Sequence, residues 1–583
     1  GKYIKLQYGP DWRLAGARTL PFLLEKSRLV HQELNERNYH VFYQMCKGVP
    51  EDLRESLAVG DAPEFDMLRK GGVYMQSDEV DDAEEFRGLT TALSTLGVTE
   101  TEREGLWRLL SALLHLGNIQ FVESDASTSG GGGEKGPGLL LESPLVEVEE
   151  IARMMGLPAD RLRKSMRKKV AMTGRGSFLE IPLDPTQASD NRNGLVKHIY
   201  GQIFNWLVGK VNEAHGAGRT VEIVAFVGIL DIFGFEIMAR NSFEQLCINF
   251  ANEVLQQQFN SHVFVLEQAE YEQEGLDWTM IEFKDNQPVI DLVSKKPRGL
   301  LVQLEEQGLL GRRANNRALL QLYHNTHLGK SACYSKPRFD STEFIILHFA
   351  GEVVYDMEGF LEKNNDSLHD NLLDLLAGTE DPFLKTVVEF VDPEARMEAA
   401  ALESASFGNP LSPVVSPLRS PSPSVPYNST GHISPASAAG PGSSSRPFVS
   451  GLSPKSSGHV GYSGATGGSP TTFGSNASMS SAKGLSPCTP PYRNGRPDSR
   501  KWRSGGSGPS QMSNAVTVSK AFRGQLQSLM ATLRATEPHY IKCIKPNNVK
   551  APGGFSSHLV HQQLNYSGVL EVVRIRREVR IEG

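Results

Sequence analysis

The sequence predicts a mixed α/β protein with more than one core, and three observations carry that expectation. At 583 residues the chain outgrows the ~250–300 residues at which a single hydrophobic core stops growing. The apolar run Ile223-Val224-Ala225-Phe226-Val227-Gly228-Ile229-Leu230 reads as a strand buried on both faces, the habit of a parallel sheet. The stretch from Asn241 to Glu274 holds no Pro or Gly and reads as one helix, about 50 Å long at ~1.5 Å per residue.

The remaining elements follow in chain order. Lys2-Tyr3-Ile4-Lys5-Leu6-Gln7-Tyr8 alternates polar and apolar residues, as a strand does. Leu24 to Cys46 predicts an amphipathic helix. Glu102 to Leu116 predicts a second, with a stripe of Leu106, Leu109, Leu110, Leu113 and Leu114, and Leu195 to Val211 a third. Ser124–Gly138 has a Gly-rich centre and reads as a surface loop. Ser242-Phe243-Glu244-Gln245 fits a capping box at the start of the long helix, whose stripe is Phe243, Leu246, Phe250 and Val254.

From about 400 to 515 the composition changes to Ser, Pro and Gly. Such a segment buries too little apolar surface to offset its ordering entropy, so disorder is expected there. It carries Ser-Pro steps at Ser412, Ser416, Ser420, Ser422, Ser434, Ser453, Ser469 and Ser486. Its far end is basic, with Arg493, Arg496, Arg500, Lys501 and Arg503 against Asp498. Globular composition resumes near 516.

Several classes of function are disfavoured. A net charge of -7 gives no basic character that would suggest nucleic acid. The cysteines, Cys46, Cys247, Cys333, Cys488 and Cys543, are odd in number and irregular in spacing, against a disulfide framework or a zinc site. No apolar run approaches the ~18 residues of a membrane span, and no signal peptide opens the chain, so a cytoplasmic location is expected. Gly1 in place of Met suggests a piece of a longer protein.

The chemistry concentrates at Asp231-Ile232-Phe233-Gly234-Phe235-Glu236. In open α/β sheets ligands bind beyond the carboxyl ends of strands. An Asp at such an end can hold Mg²⁺ through its water shell. A Gly three residues on lets a backbone N–H approach a phosphate oxygen, and Glu236 brings a second carboxylate to the same place. Asp-x-x-Gly alone is common. The full hexapeptide, after an apolar strand and before a capped helix, is far more specific.

That hexapeptide resembles the switch II loop of myosin motor domains. The relay helix of that family is matched by Asn241-Ser242-Phe243-Glu244-Gln245-Leu246-Cys247-Ile248-Asn249-Phe250-Ala251-Asn252-Glu253 and by Phe264-Val265-Leu266-Glu267-Gln268. Further matches run in order: Leu24-Glu25-Lys26-Ser27-Arg28, Glu36-Arg37-Asn38-Tyr39-His40, Leu113-Leu114-His115-Leu116-Gly117-Asn118-Ile119, His348-Phe349-Ala350-Gly351-Glu352-Val353 and Glu362-Lys363-Asn364-Asn365-Asp366. A kinesin-like alternative is disfavoured by Phe233 and by the Phe235-Glu236 pair. A non-enzymatic actin-binding protein is the other alternative.

The resemblance implies a phosphate-loop NTPase motor fold, with a twisted central mixed sheet flanked by helical upper and lower domains. Its strands should include Tyr3–Tyr8, Val221–Asp231 and His539–Lys545. Residues 1–230 would hold the end of switch I and the upper domain, and 231–395 switch II, relay helix and lower domain. Residues 400–515 would be the loop between them, and 516–583 an actin-contact helix, a central strand and the reactive-thiol region. The implied activity is actin-based, ATP-driven movement. Asp231 would reach Mg²⁺ through water, Phe233 and Gly234 would face the nucleotide, and Glu236 would position the lytic water. The motif Gly-x-x-x-x-Gly-Lys-Ser/Thr is absent from these residues, so the chain by itself is expected not to hydrolyse ATP. Converter and lever arm, with their light chains or calmodulin, would also lie outside it.

Actin contact is implied for Leu526-Gln527-Ser528-Leu529-Met530-Ala531-Thr532-Leu533-Arg534-Ala535-Thr536-Glu537-Pro538-His539-Tyr540-Ile541-Lys542-Cys543-Ile544-Lys545-Pro546-Asn547-Asn548. Core packing is the competing reading for Leu526, Leu529, Met530 and Leu533, and the preferred one for Leu529 and Leu533. A helix-loop-helix over Gly299–Tyr323 and the basic Arg500, Lys501 and Arg503 complete that surface. Ser177 lies sixteen residues before Asn193-Gly194-Leu195-Val196-Lys197. The resemblance makes it a phosphorylatable charge switch on an actin-facing loop.

Overall fold

The computed structural model describes residues 1–22, 24–76, 80–124, 138–172, 178–216, 222–262, 273–275, 285–308, 315–339, 341–365, 368–391, 517–549, 551–570, 572–574 and 577. The Ser/Pro-rich insert, most of the Gly-rich loop after Ser124, Ser177, Arg500, Lys501 and Arg503 lie outside the described residues.

The sheet that carries the candidate site has three described strands in the order β2-β1-β3. Strand β1 is Lys2–Tyr8, β2 is Leu14–Pro21 and β3 is Ala225–Asp231. β1 pairs antiparallel with both neighbours, and its register sets Lys2 opposite Asp231 and Tyr8 opposite Ala225. The expected strands at Tyr3–Tyr8 and before Asp231 are therefore present. Two features correct the sequence reading. β3 is antiparallel to its neighbour, and it is not buried on both faces: Val227 is 51% and Ile229 49% exposed. Among the described residues β3 is an edge strand, and its apolar run has no cover on that side.

The third expected strand is also corrected. Residues 539–545 form no strand, and Ile541 is 90% exposed. The backbone there bonds to a side chain instead: Gln563 accepts from the Lys545 N–H and donates to the Lys545 carbonyl, both at 2.8 Å. At Lys545 the side-chain amide thus takes both backbone groups that a strand partner would otherwise satisfy.

Among the described residues two hydrophobic cores lie beneath these elements. The first gathers around α2 (Glu100–Asn118) and α3 (Pro185–Ala214). The predicted stripe of Leu106, Leu109, Leu110, Leu113 and Leu114 is fully in it, against Leu195, Ile199 and Trp206. A Thr99–Glu102 capping box starts α2. The helix predicted from Leu24 to Cys46 breaks into a 3-10 turn, Lys26–Leu29, and α1, His40–Gly48. The side chain of Asn38 explains the break. It donates to the carbonyls of Leu29 and Met67 at 3.0 and 2.7 Å and accepts the Tyr39 N–H at 2.8 Å. It thus competes with the helix for backbone partners.

The second core is built on α4 (Phe243–Asn260), α5 (Leu300–Gly308) and α6 (Asn316–His327). A small antiparallel sheet of β4 (Tyr334–Ser335), β5 (Glu343–Leu347) and β6 (Glu352–Asp356) adds Phe344, Ile346, Val353 and Tyr355. Helices α7 (Phe360–Asn364) and α8 (Val518–Arg534) close it. α4 realises the first half of the predicted long helix, with Phe243, Leu246 and Phe250 buried; residues 263–272 fall outside the described set. No described helix is long and apolar enough to cross a membrane.

Candidate functional site

β3 ends at Asp231, and residues 232–240 cross from it to α4 without regular secondary structure. Such a segment cannot satisfy its own backbone groups, and α4 does so with its amides. Asn249 Oδ1 accepts the Glu236 N–H at 2.8 Å while Asn249 Nδ2 donates to the Glu236 carbonyl at 2.8 Å. Asn252 Nδ2 donates to the Phe233 carbonyl at 2.9 Å. Asn241 accepts the Met238 N–H at 2.8 Å and donates to the carbonyls of Met238 and Val354 at 3.0 Å. Gln245, which caps α4 by accepting the Ser242 N–H at 3.0 Å, reaches Glu236 Oε2 at 3.4 Å.

The tip of this segment stays open. Phe233 is 60% exposed, and a Cβ placed on Gly234 would meet nothing within 4 Å. Space around Gly234 fits the approach of an anion to its backbone N–H. Asp231 is exposed and pairs with Lys2 at 3.2 Å, a weak contact in solvent that leaves the carboxylate available. Glu236 is half-buried. Burial pushes its carboxyl above the ordinary range and the nearby Glu36 adds to this, while the Gln245 hydrogen bond and Arg28 pull it down. Arg28 itself is held by Glu25 at 2.9 Å and Glu36 at 3.2 Å. Asp231, Gly234 and Glu236 thus lie on one segment that α4 pins at Phe233 and Glu236. Asn249, Asn252 and Arg28, which bond to or act on this segment, are not among the candidate residues of the sequence reading. The available signal was the run of polar residues, Asn249, Asn252, Glu253 and Gln256, on a helix otherwise read for its apolar stripe.

A second set of side chains joins the 3-10 turn Lys26–Leu29, the start of α4 and α7. Glu244 Oε1 accepts from Ser27 Oγ at 2.6 Å, and Lys363 Nζ reaches Glu244 Oε2 at 2.8 Å and Ser242 Oγ at 3.0 Å. Burial raises the Glu244 carboxyl, but the charge and hydrogen bond of Lys363 and the Ser27 hydroxyl outweigh it, so the group lies below its ordinary 4.5. A depressed carboxylate contributes stability above its unfolded value and loses it as pH falls through its folded value. Glu244→Gln should therefore cost roughly 2 kcal/mol at neutral pH and flatten the loss of stability below pH 4.5. Urea unfolding between pH 3 and 7 checks this (roughly the span of a carboxylate titration); parallel curves for the two proteins would exclude a stabilising charge on Glu244.

The segment 526–548 divides by burial. An amphipathic helix turns its apolar face to the core, and α8 buries Leu526, Leu529 and Met530 there, with Leu533 packed against them. Leu529 and Leu533 thus pack as the preferred core reading had them, and Leu526 and Met530 pack inside as well, away from a filament-facing surface. Gln527, Ala531, Arg534, Glu537, His539, Tyr540, Ile541, Lys542, Cys543, Lys545, Pro546 and Asn548 are exposed. Helices α5 and α6 form the expected helix-loop-helix, with 309–314 outside the described residues.

Comparison with known proteins places the chain. The description "Myosin head (motor domain)" fits residues 1–410 and 490–579, and the chain belongs to that family. It is 34% identical over 576 residues to unconventional myosin-Va of Rattus norvegicus, covering 99% of this chain and 26% of the relative. It is 32% identical to the myosin-I heavy chain of Dictyostelium discoideum, over 99% of this chain and 19% of the relative. Unconventional myosin-Vc of Homo sapiens is 33% identical over 99% of this chain and 27% of the relative. The chain thus spans about a quarter of the length of these relatives.

Proposed function

We propose that these residues form part of a cytoplasmic, actin-based motor that couples Mg-ATP hydrolysis to filament binding. The observation that carries this reading is the segment Asp231–Glu236 in a myosin-head chain, pinned by α4 at Glu236 and Phe233 and open at Gly234. Mg²⁺, when bound, would neutralise phosphate charge, with Asp231 as its contact through water. Gly234 would offer its N–H to the terminal phosphate, and Glu236 would orient the attacking water by positioning and charge. Because α4 holds the segment by side-chain amides, a shift at Gly234 would move α4, and α4 packs on α8 through Phe250 and Phe522. That is a route from phosphate to the exposed 534–548 stretch. The basic Arg500, Lys501 and Arg503 would speed encounter with an acidic filament, and phosphorylated Ser177 would tune it. Light chains or calmodulin would act on a lever outside these residues.

The test uses the full-length motor. It should co-sediment with actin filaments in the absence of nucleotide and leave the pellet when Mg-ATP is added. Retention in the pellet at saturating Mg-ATP would overturn the reading.

A further inference from the structure

Behind the pinned segment lies a buried chain of polar side chains that the proposed reaction does not yet use. Asn249 makes three hydrogen bonds. Two hold the Glu236 peptide, and the third runs from Asn249 Nδ2 to the Tyr355 hydroxyl at 2.9 Å. The Tyr355 hydroxyl meets His348 Nε2 at 2.8 Å, and His348 Nδ1 meets Glu253 Oε1 at 2.9 Å. Glu253 Oε1 also accepts the Phe349 N–H at 2.8 Å, and Asn286 Nδ2 donates to Glu253 Oε2 at 2.6 Å and to its carbonyl at 2.7 Å. Asn249, His348, Glu253 and Tyr355 are each fully buried. The chain joins α4, β6 and the turn after β5, and Phe235 of the pinned segment lies edge-on to the His348 ring at 6.2 Å.

The hydrogens in this chain have one consistent arrangement. A carboxylate only accepts, so His348 Nδ1 donates to Glu253. Burial keeps the Tyr355 phenol protonated by pushing it up. In a neutral imidazole with its proton on Nδ1, Nε2 accepts, so the Tyr355 hydrogen points to His348 Nε2 while its oxygen accepts from Asn249. Asn249 then has both N–H groups committed, one to Tyr355 and one to the Glu236 carbonyl. Its amide cannot rotate by half a turn without placing an oxygen against two acceptors. Direction therefore passes from Glu253 through His348 and Tyr355 to Asn249, and ends at the peptide that carries the Glu236 carboxyl.

We propose that Tyr355, His348 and Glu253 are positioning residues for Glu236: they lock the Asn249 amide in the one orientation that clamps the Glu236 peptide on both sides. This rests on the reading of Glu236 given above. An unlocked Asn249 would leave the fold in place and let the carboxylate wander, and a small displacement of a positioning group is costly in rate.

Three variants of the full-length motor test this, with Mg-ATP affinity and single-turnover hydrolysis measured for each. Tyr355→Phe removes only the hydroxyl. It should leave Mg-ATP affinity within about twofold and slow hydrolysis about tenfold, the scale of one hydrogen bond. Asn249→Ala should slow hydrolysis at least as much. The double variant should equal Asn249→Ala alone, because Tyr355 acts through Asn249. A purely structural Tyr355 would give additive losses. Wild-type hydrolysis in Tyr355→Phe, or additive losses in the double variant, overturns the proposal. Glu236→Ala run alongside separates the two failures. If Glu236→Ala is slow while Tyr355→Phe is normal, the lock is wrong and the site stands. If Glu236→Ala is normal, the site reading falls and the lock with it. Should Asn249→Ala fail to fold, hydrogen exchange of the Glu236 amide in Tyr355→Phe decides. Exchange about tenfold faster supports the lock, and unchanged exchange rejects it.

Discussion

Replacing Glu236 with alanine in the full-length motor should leave Mg-ATP binding in place and slow hydrolysis by at least ~10²-fold, the scale of losing one preorganised group. The structure makes this a clean substitution. The bonds that hold residue 236 run from its backbone N–H and carbonyl to Asn249, both at 2.8 Å, and alanine keeps both. Among the described residues the side chain itself gives up only the 3.4 Å contact with Gln245 Nε2. What disappears is a half-buried carboxyl beside the open Gly234. Its protonation also has a direction. Burial and Glu36 raise this carboxyl above its ordinary 4.5, so it takes up a proton before most carboxylates do as pH falls. If hydrolysis needs the ionised form, the wild-type single-turnover rate should drop on the acid side while Glu236→Ala stays flat. A Glu236→Ala rate near wild type would remove Glu236 from the reaction.

The site was legible in the sequence where its chemistry is local, and hidden where it depends on packing. Asp231, Gly234 and Glu236 lie within one hexapeptide, and turn and strand rules suffice to bring them together. The capping role of Gln245 was legible for the same reason. Asn249 and Tyr355 are 106 residues apart, and Glu253 and His348 are 95 apart. No periodicity announces such pairs, since a polar residue at a buried helix position looks like an interruption of the stripe. The burial of β3 was misjudged because an apolar run reports what a strand can bury, while exposure depends on what packs against it. Residues 539–545 illustrate the converse. Their β propensity is real, but the Gln563 amide satisfies Lys545 first. On α8 the 3.6-residue period identified the apolar face, and burial then assigned Leu526, Leu529 and Met530 to the core.

Phe344→Ala should be the most destabilising single change near the site, by about 3–5 kcal/mol, the range for truncating a buried aromatic ring. Phe344 lies on β5 and is fully buried. Its ring meets four others: Tyr323 at 5.6 Å, Tyr334 at 6.1 Å, Tyr355 at 5.3 Å and Phe360 at 5.8 Å. These neighbours come from α6, β4, β6 and α7, so they cannot all close on the void together, and most of the cavity cost should remain. Phe344→Leu keeps much of the volume and should cost clearly less than the alanine change, though it gives up the ring contacts. Urea unfolding of the three proteins measures both steps, and equal stability for the alanine and leucine variants would mean that the ring cluster repacks freely. The consequence reaches the chemistry through Tyr355, whose ring stacks on Phe344 with an interplanar angle of 21°. A ring that can tilt no longer fixes its hydroxyl against Asn249 and His348. Phe344→Ala should therefore also speed hydrogen exchange at the Glu236 amide, beyond its effect on amides of the first core such as Leu110 and Leu113. Uniform acceleration across both cores would mean that global unfolding alone is being read.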